Sequence, residues 1–229
     1  YFCTINISER INFERGIIMN AKNEYYKIKA ENLIKNFAKR NIEGYYAENA
    51  EAAGKKLLEL IKENASVSWG GSMTLKEIGV FAQLKAGNYS LLDRATAENS
   101  AEKEEIYHQA LSADYYLMSS NAITQSGKLV NVDGNGNRLA ALIYGPKNVI
   151  IVAGMNKVTV DEESAVKRVR NQAAPANVVR LDQKTPCAKT GYCHSCHVED
   201  TICCQTVITR HSRQDGRIKV ILVGEELGY

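Results

Sequence analysis

The sequence predicts an α/β fold, and three observations carry that reading. Segments with apolar residues at helical spacing alternate along the chain with short runs rich in Val, Ile and Tyr. Gly70-Gly71-Ser72 falls between a strand-like run and a helix-like one, the order of a βαβ-like unit. Asn148 to Ala153 reads as an apolar, buried strand.

The elements follow in order. Glu24 to Arg40 sets Tyr26, Leu33, Ile34 and Phe37 at helical spacing among lysines, which predicts an amphipathic helix. Gly44 to Ala47 is a short strand, and Asn49 to Asn64 a helix with Ala52, Ala53, Leu57, Leu60 and Ile61 on one side. Ser66 to Trp69 is a strand, and after the glycine turn a helix begins with Thr74 and Glu77 in capping-box spacing. A helix over Ala101 to Leu111, a strand over Ala113 to Met118, a loop over Ser119 to Gly127 and a strand over Lys128 to Val132 come next. Asp133 to Gly136 is a turn, Asn137 to Tyr144 a helix, and Asp161 caps a helix reaching about Ala173. Thr206 to Thr209 and Ile218 to Val223, separated by a turn at Asp215-Gly216, predict a closing antiparallel β-hairpin.

Composition excludes several classes. The chain has 229 residues, 45% of them hydrophobic, with 29 basic residues interspersed among 26 acidic ones. A nucleic-acid partner would be met by clustered basic residues, so none is expected. No apolar run reaches the ~20 residues of a membrane helix, so no membrane partner is expected either. Glu9, Arg10, Glu14 and Arg15 interrupt any signal-peptide pattern in the first twenty residues. Residues 1–18 are read as an N-terminal extension, native or not, with Met19 as a candidate start and 19–229 as one domain; Cys3 is given no role. A cytoplasmic location is expected, because five of the six cysteines sit in one loop rather than spread as a disulfide framework.

That loop, 187–204, has the spacing C-x5-C-x2-C-x6-C-C and also holds His194 and His197. Cys193 and Cys196 form a two-residue-spaced hook for one metal, and Cys187 and Cys203 would complete a four-thiolate set suited to zinc or an iron–sulfur cluster. Spacing does not choose between them, and a histidine could replace a cysteine in a zinc site. Three readings without a functional metal stand beside this: free thiols, a disulfide (Cys187–Cys193 or Cys193–Cys196), or a purely structural zinc knuckle. Adjacent residues of a strand face opposite sides, so Cys204 is expected to pack in the core while Cys203 binds. His108 and His211 are read as surface histidines.

Three stretches together resemble a known family. Ser68-Trp-Gly-Gly-Ser-Met-Thr-Leu-Lys-Glu-Ile-Gly79 is similar to the glycine turn of the lactate-utilisation (LUD) domain, of the lactate utilisation protein C type. Asn121-Ala-Ile-Thr-Gln-Ser-Gly-Lys-Leu-Val-Asn-Val-Asp-Gly-Asn-Gly-Asn-Arg138 resembles its central motif. Val149 to Lys157 and Arg168 to Asn171 continue the likeness, and the loop from Pro186 to Cys203 is similar to one in a clostridial-type branch. The resemblance runs from about residue 20 to the C-terminus. It implies a Rossmann-like three-layer sheet with helices on both faces, of the sugar-phosphate isomerase and CoA-transferase type. It also implies a part in bacterial L-lactate (2-hydroxy acid) oxidation beside iron–sulfur or oxidoreductase partners; a homo-oligomer is compatible with it.

The glycine turn reads either as an anion site, where backbone N–H groups of Gly70, Gly71 and Ser72 meet a carboxylate or phosphate, or as a packing turn. Sugar-phosphate isomerases of this fold carry a Gly-Ala-Asp-Glu-like segment for proton transfer. Here the stretch is Ser119-Ser120-Asn121-Ala122-Ile123, and Asn121 cannot take a proton at neutral pH. Asn121, Asn131, Asp133, Gly134, Gly136, Asn137 and Arg138 remain candidate binders of a small anionic or hydroxylated ligand, against plain turn chemistry. Lys157 is a further candidate anion contact, though solvation is the ordinary state of a loop lysine. Two other functions stay open: a metal-stapled assembly or scaffold subunit without catalysis, and an isomerase or transferase acting on a phosphorylated sugar or CoA ester.

Overall fold

A computed structural model describes residues 7–229, with side chains from Ala21 onward. The chain folds as α1 (Ile7–Ala38), β1 (Glu43–Ala47), α2 (Ala50–Glu59), β2 (Ser66–Trp69), α3 (Met73–Glu77), α4 (Val80–Ala86), β3 (Ser90–Leu92), α5 (Ser100–Ala110), β4 (Tyr115–Met118), β5 (Ala122–Thr124), β6 (Leu129–Asp133), α6 (Asn137–Tyr144), β7 (Asn148–Gly154), β8 (Val158–Thr159), α7 (Glu162–Arg168), α8 (Ala174–Arg180), α9 (Pro186–Thr190), β9 (Gln205–Thr209) and β10 (Ile218–Val223). Helix α1 runs unbroken past Met19, so no helix end marks the boundary expected at residues 18 and 19. Residues 1–6, Cys3 among them, lie outside the described residues.

The main sheet has the order β1-β10-β7-β4-β2-β3 and every pairing in it is parallel. Its central strands are buried on both faces, which is why β7 is apolar without alternation. Val149, Ile151 and Ala153 face a core shared with Leu33 and Phe37 of α1 and Leu142 of α6. Ile150 and Val152 face the opposite core, with Leu57 of α2, Leu75 of α3 and Leu84 of α4. The result is the expected three-layer α/β architecture with helices on both faces.

A second, four-stranded sheet has the order β8-β5-β6-β9. Here the structure departs from the sequence reading. The two closing strands do not form a hairpin: β9 pairs antiparallel with β6, whereas β10 enters the main sheet between β1 and β7. The physical reason lies in their residues. Ile218–Val223 is buried almost throughout and needs a covered parallel position, while Gln205–Thr209 is largely exposed and suits an edge.

Smaller differences have equally local causes. The segment read as a loop after Ser119 contains β5, whose Ala122-Ile123-Thr124 is fully buried. The cap of α3 is Ser72, which accepts the Leu75 N–H, rather than Thr74, which is buried and donates to the Leu227 carbonyl. The helix begun at Asp161 does not stop near Ala173 but passes through a π-helical turn, Val169–Ala173, into α8.

Candidate functional site

Strands β2, β4 and β7 are parallel, so their carboxyl ends open on one edge of the sheet, the usual place for ligands in open α/β sheets. A cleft of about 560 Å³ lies there, lined among others by Gly71 and Ser72 after β2, Ser119 and Asn121 after β4, and Lys157 after β7. Asp133, Gly134, Asn137 and Arg138 close it from the end of β6, the turn that follows and the start of α6. Of the expected ligand residues, the cleft thus gathers Gly71, Ser72, Asn121, Asp133, Gly134, Asn137, Arg138 and Lys157. Gly70, Asn131 and Gly136 do not line it.

Arg138 is an organiser rather than a free cation. Its guanidinium donates to Asn131 Oδ1 at 2.8 Å, Asn121 Oδ1 at 3.0 Å, the Val132 carbonyl at 2.6 Å and the Ser119 carbonyl at 3.4 Å, with Asp133 Oδ2 3.7 Å from Nε. Asn121 Oδ1 also accepts from Val132 N, and Asn131 Oδ1 from Asn121 N. The two asparagines and the arginine form one buried polar network joining the ends of β4 and β6. Asn131 is fully buried and its Nδ2 has no hydrogen-bond partner among the described residues. Gly70 is part of the arrangement, since a Cβ there would stand 3.0 Å from Arg138 Cδ.

The cations with donors to spare are elsewhere. Arg94, which the sequence reading passed over, presses against Gly71, where a Cβ would stand 3.0 Å from its Nη2. One Nη1 hydrogen bond reaches the Trp69 carbonyl, and the guanidinium lies over the Tyr107 ring. Its only sequence signal is the Asp93-Arg94 pair after β3, where Asp93 caps a single turn of 3-10 helix.

Lys157 is not a solvated loop lysine. It is 4% exposed, and its Nζ donates to Thr74 Oγ1 at 2.9 Å and Ser119 Oγ at 3.0 Å. Burial, reinforced by the charge of Arg168 and then opposed by Glu77, pushes its pKa down from 10.5 to about 7. The apolar run of β7 carries the chain into the core before the single turn that bears Lys157, and this places the amine under α3. No local pattern in the sequence marks that burial.

The cysteine loop forms another wall: Asp200, Thr201, Ile202 and Cys203 line the same cleft. Cys204 N donates to the Asp133 carbonyl at 2.9 Å, and Gly134 lets the backbone of Ile202 approach, since a Cβ there would stand 3.3 Å from Ile202 Cα. The expected core position of Cys204 is not observed. Cys204 is exposed and Cys187 is the buried cysteine, because the strand containing Cys204 would have to lie within the sheet and instead begins only at Gln205.

All five cysteines of the loop are free thiols. The charges of Cys193, Cys187, Cys196 and Cys204 reach Cys203, whose thiol is pushed up to about 11, chiefly by burial of the sulfur and then by those neighbours. The four expected ligands, Cys187, Cys193, Cys196 and Cys203, therefore share one neighbourhood. They do not make a coordination sphere: among the described residues no three His, Cys, Asp or Glu side chains are set to hold one metal ion. Other partners hold them, with Cys187 Sγ 3.3 Å from Thr185 Oγ1 and Cys193 Sγ accepting from Arg170 Nε at 3.3 Å. No helix among the described residues is long and apolar enough to cross a membrane.

A parallel sheet covered on both faces by helices, with a polar cleft at the carboxyl ends of its strands, defines a three-layer α/β domain. The chain belongs to the LUD domain family, whose sequence pattern it matches over residues 30–223. No curated protein matches it. It is similar to a duf162 family protein from Deinococcus radiodurans, with 14% identity over 88% of this chain and 98% of that one and a TM-score of 0.47. It is also similar to ribose 5-phosphate isomerase A from Neisseria gonorrhoeae, with 12% identity over 49% and 54% and a TM-score of 0.34. A ribose 5-phosphate isomerase a from Methanocaldococcus jannaschii gives 12%, 58% and 64%, and 0.34.

Proposed function

We propose that this LUD-family chain is a cytosolic component of L-lactate (2-hydroxy acid) oxidation that binds a small carboxylate or phosphorylated ligand in the cleft at the strand ends. The observation that carries the binding reading is Lys157: an amine buried at the cleft wall, held by two hydroxyls and paired with no carboxylate among the described residues. An anion in the cleft would meet Arg94 and the backbone N–H groups of Gly71 and Ser72, with the Lys157 amine as a further donor. Family membership supports the pathway. Titration calorimetry with L-lactate, pyruvate and a sugar phosphate tests the site. Binding of one of them, weakened about 10-fold or more in Arg94→Ala, is expected; no binding by any would remove the reading. A strain lacking the chain that still grows on L-lactate at the wild-type rate and yield would remove the pathway.

Asn121 offers nothing to an isomerase with a carboxylate base, since its Oδ1 is occupied by Arg138 and Val132 N. The scaffold reading is separated by the same titration: a protein that binds no small ligand but captures iron–sulfur or oxidoreductase subunits would be the scaffold.

The gathering of thiols around Cys203 favours one addition. We propose that Cys187, Cys193, Cys196 and Cys203 take up zinc or an iron–sulfur cluster, which requires the loop to release the contacts of Cys193 with Arg170 and of Cys187 with Thr185. Zinc there would be structural; a cluster would transfer electrons to an oxidoreductase partner. Anaerobic purification with metal analysis and an absorption spectrum decides between them, and metal-free protein that cannot be loaded would remove the site.

A further inference from the structure

Among the residues lining the cleft, Lys157 combines three features that anion binding alone does not need. Its amine is buried, it lies between two hydroxyls, and it stands at the end of the central strand. Thr74 Oγ1 donates its own proton to the Leu227 carbonyl and so accepts from Nζ. Ser119 Oγ, on the other side at 3.0 Å, accepts from the amine and donates its own proton to the Ser120 carbonyl over a long 3.4 Å, a bond it can exchange for one to a bound ligand. The backbone at Gly228 approaches so closely that a Cβ there would stand 3.1 Å from Nζ, which limits access to the cleft side. A strongly hydrated ammonium is a poor tenant of such a place, whereas a neutral amine is compact, needs fewer partners and carries a nucleophilic lone pair.

The charged groups that face it are Glu77 from α3, Arg168 from α7 and Arg138 from α6. Burial first, and then two cations against one carboxylate, lower its pKa to about 7, so the neutral amine is far more accessible near neutral pH than on a surface lysine. An anchor for a carboxylate is present on the same cleft, at Arg94 beside Gly71. A small molecule that carries both a carboxylate and a carbonyl is the ligand class that would use both groups.

We propose that Lys157 is a catalytic residue whose Nζ condenses with the carbonyl of a small 2-oxo acid held in the cleft, forming an imine. The lone pair of Nζ attacks the carbonyl carbon, and the C=O π pair moves to oxygen. A proton passes from nitrogen to that oxygen through the Ser119 hydroxyl, giving a carbinolamine. The nitrogen lone pair then forms the C=N bond and expels the hydroxyl, which takes the remaining N–H proton and leaves as water, so amine plus carbonyl gives imine plus water with no oxidant or reductant. The inference rests on the small-carboxylate reading of the cleft and names its substrate class, the 2-oxo acids that oxidation of 2-hydroxy acids produces.

The test is reductive trapping. The full chain is incubated with pyruvate and sodium cyanoborohydride, then digested and mapped by mass spectrometry, with calorimetry of pyruvate binding run in parallel without reductant. One dominant adduct on the Lys157 peptide is expected. Its formation should quicken as pH rises through about 7, it should slow about 10-fold or more in Ser119→Ala, and it should be absent in Lys157→Arg. Pyruvate binding with no adduct, or adduct spread evenly over surface lysines, overturns the imine and leaves the anion site standing. No pyruvate binding and no adduct overturns both. If Lys157→Arg does not melt like the wild type, the peptide map of the wild-type chain and the Ser119→Ala rate decide alone.

Discussion

Arg138 Nη2 stands 3.0 Å from Asn121 Oδ1, which joins the first turn of α6 to the end of β4. The same guanidinium holds Asn131 and two backbone carbonyls, so its role is to fix the cleft's floor. A residue expected to bind ligand is thus spent on shaping the site.

Arg138→Met should therefore destabilise the chain. It leaves Asn121 Oδ1, Asn131 Oδ1 and the Val132 carbonyl short of a donor in a buried place, at a cost of about 3 kcal/mol. Urea unfolding measures it, and a loss below about 1 kcal/mol would show that water takes over the arginine's bonds.

Lys157→Met should change how stability depends on pH. The folded pKa of Lys157, about 7, lies below the ordinary 10.5. Below pH 7 both folded and unfolded chains carry the proton, and the cost of burying the charge is fully present. Between 7 and 10.5 the unfolded chain keeps a proton that the folded one has lost, so stability rises with pH, by up to ~1.4 kcal/mol per unit. The wild type should gain on Lys157→Met across pH 7 to 9, and at pH 6 the variant should be the more stable. Parallel pH profiles of the two chains would contradict a buried amine.

The two glycines of the turn should behave differently. At Gly71 a methyl group meets only the tip of Arg94, which can swing away, so Gly71→Ala should keep stability within about 1 kcal/mol and weaken anion binding. At Gly70 it meets the Arg138 stem at 3.0 and 3.2 Å and the Tyr116 hydroxyl at 3.3 Å. Gly70→Ala should cost about 1–3 kcal/mol through that crowding. Melting curves with calorimetry on both variants separate the effects.

Gly134→Val should detach the cysteine loop from the cleft, because the β6 turn and Ile202 would then clash through backbone atoms that cannot swing aside. Faster reaction of the cysteines with a thiol reagent is expected, with the main sheet's amides still protected from hydrogen exchange. Unchanged thiol rates would show that the loop is held elsewhere.

Much of the fold was legible because its signals are local. Ser66–Trp69, Asn137–Tyr144 and the β7 run are fixed by apolar pattern and flanking turns, and the glycine turn by its place between strand and helix. The sequence by itself determined these elements and their α/β alternation. Only tertiary structure decided that β9 and β10 belong to different sheets, since pairing depends on which edge is free and which position is buried on both faces. It also decided that Lys157 is buried, that Arg138 is spent on asparagines, and that Arg94 faces the glycine turn. Each of those depends on what distant segments bring to one point, and burial and charge at that point set the chemistry of the side chain.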